Sequence, residues 1–174
     1  MTLNYWVANC LNDNEAYSIR AKTKKEILAY FAVNAARLTK KENIPEVYLH
    51  VFTDGKDAPP TEGGKFFAML EDRLANTWPH IKIASVMGRF YALDRDEKWD
   101  RVETAYRLLT EGVGKEVSSI SEYLKDSYQK NVYDEFIAPA TVSEVDGKIK
   151  EHDALIFSDF REDSMREIAH AFAD

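Results

Sequence analysis

The sequence has 174 residues, 45% of them hydrophobic and 30% charged, and this length suits a single domain with a sizeable core. The formal net charge of −7 argues against unspecific binding to nucleic acid or to an anionic membrane. Cys10 is the only cysteine, which excludes an intramolecular disulfide and fits a reducing cytoplasm; without a basic or long apolar N-terminal stretch, we expect neither a secretory signal nor a membrane span.

Along the chain, apolar residues recur with the spacings of strands and helices in alternation, separated by turn-forming residues. In chain order the sequence predicts a strand at 3–11, a polar loop at 12–22, a helix at 23–41, a strand at 47–53, a helix at 61–78, a strand at 81–87, a polar loop at 89–98, a helix at 99–111, a helix at 119–130, an irregular segment at 134–139, a small hairpin near 142–149, a strand at 153–157 and a final helix after Asp159. Strands separated by helices of this length imply crossover connections. The expected fold class is therefore α/β, three-layered, with a largely parallel sheet and helices on both faces.

Charged side chains follow three of the predicted strands. They are, in chain order, Asp54, Lys56 and Asp57, then Arg89 and Arg95, and finally Arg161. Because the carboxyl ends of parallel strands meet at one edge of a sheet, where ligands bind in open α/β folds, we expect these groups to line one cleft. The alternative for each arginine taken singly is a solvated or ion-paired side chain.

The chemistry of these residues indicates recognition of a small phosphorylated acid. Arginine offers a planar fork of donors that matches phosphate and carboxylate oxygens, and the helix start at Arg161 adds unpaired amides. Asp57 is available to hydrogen-bond a hydroxyl group of the ligand. We expect no metal site in this chain, because its four histidines are scattered and no cysteine or second histidine lies at metal-ligand spacing.

Four segments also carry the signatures of one enzyme family. His50–Pro60 reads His-Val-Phe-Thr-Asp-Gly-Lys-Asp-Ala-Pro-Pro, and Gly88–Glu103 begins Gly-Arg-Phe-Tyr-Ala-Leu-Asp-Arg-Asp. Asp134-Glu-Phe with Pro139, and then Asp153–Arg161, follow in the same order. Over about residues 46–172 the chain resembles the cofactor-independent (2,3-bisphosphoglycerate-independent) phosphoglycerate mutases, and the second segment is highly specific.

The resemblance implies that the complete enzyme has two domains with different roles. In that family a phosphatase-like domain, which carries a serine and two divalent metals, manganese or magnesium, is interrupted by a substrate-binding domain, and residues 1–174 resemble only the inserted domain. The resemblance implies that Arg89, Arg95 and Arg161 hold 2- or 3-phosphoglycerate in glycolysis, with Asp54 and Lys56 beside them. It also implies that Asp57 is the catalytic residue near the glyceryl hydroxyls, and that a phosphatase-like domain acts in cis or in trans.

Three departures from the family pattern leave an alternative open. Lys56 replaces an arginine, Ser164 stands where many members have a second arginine, and Asn9–Ser18 replaces a Ser-Asp-Gly-Gly-Val-His-Ser-His loop. The alternative is a diverged or engineered stand-alone binding or interaction module without mutase activity. A metal-dependent hydrolase is a weaker option, because Asp54 and Asp57 are too few ligands. If the chain is the substrate-binding domain, we expect weak ligand binding at most and no turnover from this chain alone.

Overall fold

A computed structural model describes residues 8–12, 15–18, 47–151, 153–159 and 161–173. The strands are β1 (Ala8–Asn12), β2 (Glu15–Ser18), β3 (Val47–Thr53), β4 (Ile81–Gly88), β5 (Lys115–Val117), β6 (Ala140–Val142) and β7 (Ile156–Ser158). The helices are α1 (Glu62–Thr77), α2 (Arg89–Ala92), α3 (Trp99–Glu111), α4 (Ile120–Gln129) and α5 (Glu162–Ala173), with a single 3₁₀ turn at Asp134–Phe136. No helix within these ranges is both long and apolar enough to cross a bilayer.

The main sheet has four strands in the order β3-β4-β6-β5. β3 pairs with β4 in parallel, β5 pairs with β6 in parallel, and only the central pairing of β4 with β6 is antiparallel. The expected α/β class with a largely parallel sheet is thus confirmed. Because β6 runs against β4, the segment that enters β6 lies at the edge where β3 and β4 end.

Helices cover both faces of this sheet. Successive strand residues point to opposite faces, and in β4 Val86 packs into a core with Leu74 of α1 and with α4, whereas Met87 packs into a second core with α3 and Ile168 of α5. Val86 and Met87 are both fully buried. The three-layer arrangement follows from this alternation.

The strands at the two ends of the described chain form a separate sheet, which is a correction to the expected single sheet. Its order is β2-β1-β7, and both pairings are antiparallel, with Ala8 opposite Ser158 and Asn12 opposite Glu15. Residues 15–18, expected within a polar loop, are therefore a strand, because the turn signal after β1 belongs to a hairpin. The helix predicted at 23–41 lies outside the described residues.

The hairpin predicted near residues 142–149 is wrong. Val142 ends β6, a turn follows at residues 143–144, and residues 145–150 form no strand. Gly147 suggested a hairpin turn, but it serves a close approach instead: a Cβ on it would lie 2.4 Å from the Cβ of Ala84 in β4. Two further elements were not expected, namely the short helix α2 inside the polar loop at 89–98 and the strand β5.

Candidate functional site

The turn after β3 holds three of the predicted site residues. The Asp54 side chain accepts hydrogen bonds from the backbone N–H groups of Lys56 at 3.3 Å and Asp57 at 3.1 Å, a local arrangement typical of aspartate in turns. Gly55 between them has a positive φ of 68°, which glycine adopts without strain. The turn thus presents two carboxylates and one ammonium group at the carboxyl end of β3.

Arg89 projects into this turn from the end of β4. Its side chain is only 10% exposed, and Nη1 donates to Oδ1 of Asp54 and, over 2.8 Å, to Oδ2 of Asp57. Burial alone would lower the pKa of Arg89, but the hydrogen bonds to both carboxylates outweigh burial and raise it. The hydrogen bond from Arg89 in turn lowers the pKa of Asp57. A buried guanidinium is therefore kept charged by two carboxylates of the neighbouring strand end.

Asp57 also connects Arg89 to Arg161. Nη2 of Arg161 lies 3.4 Å from Oδ1 of Asp57, so the two oxygens of one carboxylate serve two different guanidinium groups. Arg161 immediately precedes α5 and is half exposed. The carboxylate of Asp57 thus joins the ends of β3 and β4 to the start of the last helix.

Arg95 reaches the same region through another acid. Its Nη1 donates to Oδ2 of Asp163 over 2.5 Å. The hydrogen bond from Arg95 lowers the pKa of Asp163, and the positive charge of Arg161, two residues earlier in the chain, lowers it further. The three predicted arginines therefore belong to one charged network, in which Asp57 and Asp163 are the intervening anions.

Lys56 lies at the margin of this network. Its ammonium group is 3.9 Å from Oε1 of Glu135, and its side chain is 65% exposed. Such a long, exposed ion pair contributes little to stability and leaves the lysine able to reach another anion.

The Asp134–Phe136 turn packs against the strand ends beside the site, which the sequence did not predict. The side chain of Asp134 is buried, accepts from the backbone N–H of Gly63 at 2.8 Å and from the Tyr128 hydroxyl, while its carbonyl accepts from the Thr53 hydroxyl at 2.6 Å. Burial is the main reason that the pKa of Asp134 is raised. The turn is thus anchored to the end of β3 and to the start of α1.

Sequence reasoning missed two acids of the network, Glu135 and Asp163. Asp163 follows Arg161 by two residues in the first turn of α5, where an acid is favoured by the helix dipole, so a signal for it was present. Glu135 could have been found only from the reversal of β6, which brings its segment to the site.

Among the described residues, every cation of this site is paired with a carboxylate. Its four cations (Lys56, Arg89, Arg95 and Arg161) each lie within ion-pair distance of at least one of four carboxylates (Asp54, Asp57, Glu135 and Asp163). An anionic ligand would be selected by directed guanidinium donors more than by an excess of positive charge. Within the described ranges, no three histidine, cysteine or acidic side chains are grouped so that they could hold a metal ion.

A family model and individual relatives of this chain point to the same enzyme family. Residues 30–174 match the family model described as "BPG-independent PGAM N-terminus". The chain is similar to the 2,3-bisphosphoglycerate-independent phosphoglycerate mutase of Symbiobacterium thermophilum, with 39% identity over 134 residues, which is 77% of this chain and 26% of that protein. It is 45% identical over 139 residues to the enzyme of the same name from Lachnoclostridium phytofermentans, covering 78% of this chain and 27% of the relative. The chain therefore spans about a quarter of the length of these relatives.

A solved structure has the same fold. The crystal structure of Leishmania mexicana phosphoglycerate mutase at low cobalt concentration superposes with a TM-score of 0.70 and 25% sequence identity, over 86% of this chain and 29% of that one.

Proposed function

The chain belongs to the BPG-independent phosphoglycerate mutase family, and on that premise we propose that it is the part of such an enzyme that binds and positions phosphoglycerate. The single observation that carries this proposal is the Asp57 carboxylate between Arg89 and Arg161. It supports a site in which guanidinium groups from two separate segments act on one small anion.

The proposed roles follow from the guanidinium N–H groups that are not used in the contacts with Asp54 and Asp57. Among the described residues, Arg89 contacts Asp54 and Asp57 through Nη1 and Arg161 contacts Asp57 through Nη2, so each guanidinium has further N–H groups for phosphate or carboxylate oxygens. Arg95 and Lys56 are exposed enough to approach the same anion. Asp57, held between two arginines, stays ionised and accepts a hydrogen bond from a glyceryl hydroxyl.

Phosphoryl transfer depends mainly on positioning and charge stabilisation, and these are what this set of residues offers. The serine that takes the phosphoryl group would come from a phosphatase-like partner domain, in cis or in trans. Two divalent metals, manganese or magnesium, would belong to that domain as well, because the described residues offer no cluster of three ligands. Such a protein would act in cytoplasmic glycolysis, and this chain alone would not turn over.

Isothermal titration of the chain with 3-phosphoglycerate tests the proposal. We expect weak, saturable binding that Arg89→Ala abolishes, because Arg89 is the most buried of the four cations and its removal leaves an excess of negative charge from Asp54 and Asp57 at the site. Arg107→Ala is the matched control: it removes the same charge from a surface pair with Glu111 on α3 and should leave binding intact. Absence of binding by the wild-type chain at millimolar ligand would refute the proposal.

One observation favours the alternative of a stand-alone module without mutase function. Each of the three arginines already has a carboxylate partner in the ligand-free chain, so a ligand must share or displace these partners. If titration shows no binding, this self-paired network is the structure of an interaction module rather than of a substrate site.

A further inference from the structure

The loop at residues 94–98, here called the Arg95 loop, is folded by its first residue. Asp94 is almost fully buried, and its Oδ1 accepts from the backbone N–H groups of Asp96 at 3.0 Å and Lys98 at 2.9 Å. Its Oδ2 accepts from Nη1 of Arg101 at 3.0 Å. Asp94 therefore sets the internal shape of the loop, but none of these bonds determines where the loop lies relative to Arg161.

That position is determined by two acids of α5. Asp163 accepts from the Arg95 guanidinium over 2.5 Å, and Oε1 of Glu167 accepts from the backbone N–H of Glu97 over 3.1 Å. Residues four apart on a helix lie on the same face, so Asp163 and Glu167 hold the loop at two points along one side of α5. The other oxygen of Glu167 is buried and has no hydrogen-bond partner in the described part of the chain.

The backbone at Glu97 has an uncommon conformation that several contacts of the loop hold in place. Glu97 has a positive φ of 56°, a conformation that is uncommon for residues other than glycine. Such a conformation persists where the surrounding contacts over-determine it. The hydrogen bond from the Glu97 amide to Glu167 is a contact of this kind.

We propose that Asp163 and Glu167 are positioning residues, which clamp the Arg95 loop onto α5 and thereby fix the guanidinium of Arg95 relative to that of Arg161. The inference rests on the proposed function, since the two arginines would then act on one anion. The helix that Arg161 precedes also carries both acids, so α5 and the Arg95 loop form one unit.

Removal of Asp163 can either weaken or tighten the binding of an anion, and the direction distinguishes a positioning role from simple charge repulsion between Asp163 and the anion. Removing the negative charge of Asp163 would, by electrostatics alone, tighten the binding of an anion. If Asp163 positions Arg95, its removal weakens binding, because Arg95 loses the orientation that lets it reach the ligand.

The first experiment is titration with 3-phosphoglycerate. We expect Asp163→Ala to weaken binding about tenfold, in line with loss of a hydrogen bond to a charged group. Asp126→Ala removes the same charge from an exposed position of α4 and should change affinity little. Unchanged or tighter binding by Asp163→Ala would overturn the proposal.

Glu167 provides a conservative rescue. Glu167→Gln keeps an oxygen that accepts from the Glu97 amide and should retain the wild-type affinity, whereas Glu167→Ala should weaken binding as Asp163→Ala does. If the charge of Glu167 mattered and the hydrogen bond from Glu97 did not, both variants would bind alike, because both lack the charge. That result would also count against the clamp.

The second experiment needs no ligand and separates failure of the clamp from failure of the proposed function. Hydrogen exchange at the Glu97 amide should be slow in the wild-type chain and in Glu167→Gln, and clearly faster in Glu167→Ala. If the wild-type chain bound no phosphoglycerate, the proposed function would fail, and exchange at Glu97 would still support or overturn the clamp. Equal exchange in all three proteins would overturn it.

Discussion

Gly88, the last residue of β4, lies directly beneath the backbone of Glu135: a Cβ on Gly88 would be 2.3 Å from the Glu135 carbonyl oxygen. This contact brings the 3₁₀ turn down onto the strand end from which Arg89 projects. Gly55 makes a similar approach, since its Cβ would lie 2.5 Å from the Glu135 amide nitrogen. Two glycines thus allow the 3₁₀ turn to pack closely against the strand ends beside Asp54 and Arg89.

Gly88→Ala should destabilise the chain and disturb the site. Gly88 has φ of −75°, so an added methyl group introduces no backbone strain and acts only through its clash with the Glu135 backbone. We expect a loss of about 1–3 kcal/mol in the free energy of unfolding, measured in urea, together with weaker binding of phosphoglycerate.

The matched control for that change is Gly112→Ala at the end of α3. Gly112 has a positive φ of 73°, and its Cβ would meet nothing closer than 3.5 Å. Here only backbone strain acts, so we expect about 1–2 kcal/mol of destabilisation with ligand binding preserved. Equal loss of binding in both variants would show that the contact of Gly88 has no special role.

Asp134→Ala should be among the most damaging substitutions away from the arginines. It would leave the Gly63 amide and the Tyr128 hydroxyl without their acceptor, at about 2–3 kcal/mol. Tyr128→Phe removes the hydroxyl that also accepts from the Gly64 amide at 2.9 Å, and should cost about 1–2 kcal/mol. Because these groups form one network, the double variant should lose less than the sum of the single losses, as a double-mutant cycle would measure.

Acid stability should depend on Asp57. Because its pKa in the folded chain lies below the ordinary value of 3.8, the stability it confers is fully present above that value and is lost as the pH falls through the lower folded pKa. In Asp57→Asn, the free energy of unfolding should therefore fall less between about pH 5 and pH 2 than in the wild-type chain.

Two comparisons test this acid effect. Asp57 is half exposed, so the difference from the wild-type chain should shrink at about 1 M salt, where charges are screened within a few ångströms. Asp126→Asn removes a charge from an exposed position of α4 and serves as the control. Parallel pH profiles for Asp57→Asn and the wild-type chain would contradict the role assigned to the hydrogen bond from Arg89.

Lys56→Arg should tighten the binding of phosphoglycerate by about threefold, because a guanidinium binds an oxyanion through two parallel hydrogen bonds where an ammonium acts as a point charge. Lys56→Gln should weaken binding. The control is Glu135→Gln, which removes the carboxylate that pairs with Lys56 and should affect affinity much less than Lys56→Gln does. If neither change at Lys56 alters affinity in titration, this lysine is not a ligand-binding residue.

The sequence predicted well whatever depends on local pattern. The buried run of β4 and the helices α1, α3 and α4 follow from apolar spacing, and the pattern Ser-x-x-Glu at 119–122 favours the cap that the Ser119 side chain provides by accepting from the Glu122 amide at 3.3 Å. We expected Arg89 and Arg161 to lie close together because each follows a predicted strand of one sheet. In the structure the two strands belong to different sheets. β7, which leads to Arg161, is not in the main sheet at all.

Pairings between segments that are distant in sequence were not predicted, because they depend on tertiary packing and not on local sequence pattern. No local pattern records that β6 reverses direction or that Glu135 meets Gly55 and Gly88. Likewise, the sequence Asp146-Gly147 suits a hairpin turn, whereas close packing against Ala84 and Tyr48 explains why a glycine is needed there. The carboxylate partners of the arginines were missed because each comes from an element whose place is set by tertiary packing.

The reversal of β6 has a consequence for how the chain folds. The bond from Thr53 to Asp134 closes a loop of 81 residues, and that from Arg161 to Asp57 closes one of 104. Contacts of such high order carry a large loop-closure entropy and form late in folding. The capacity to capture a small anion should therefore appear at the end of refolding, after helical signal has returned, and would report completion of the native topology.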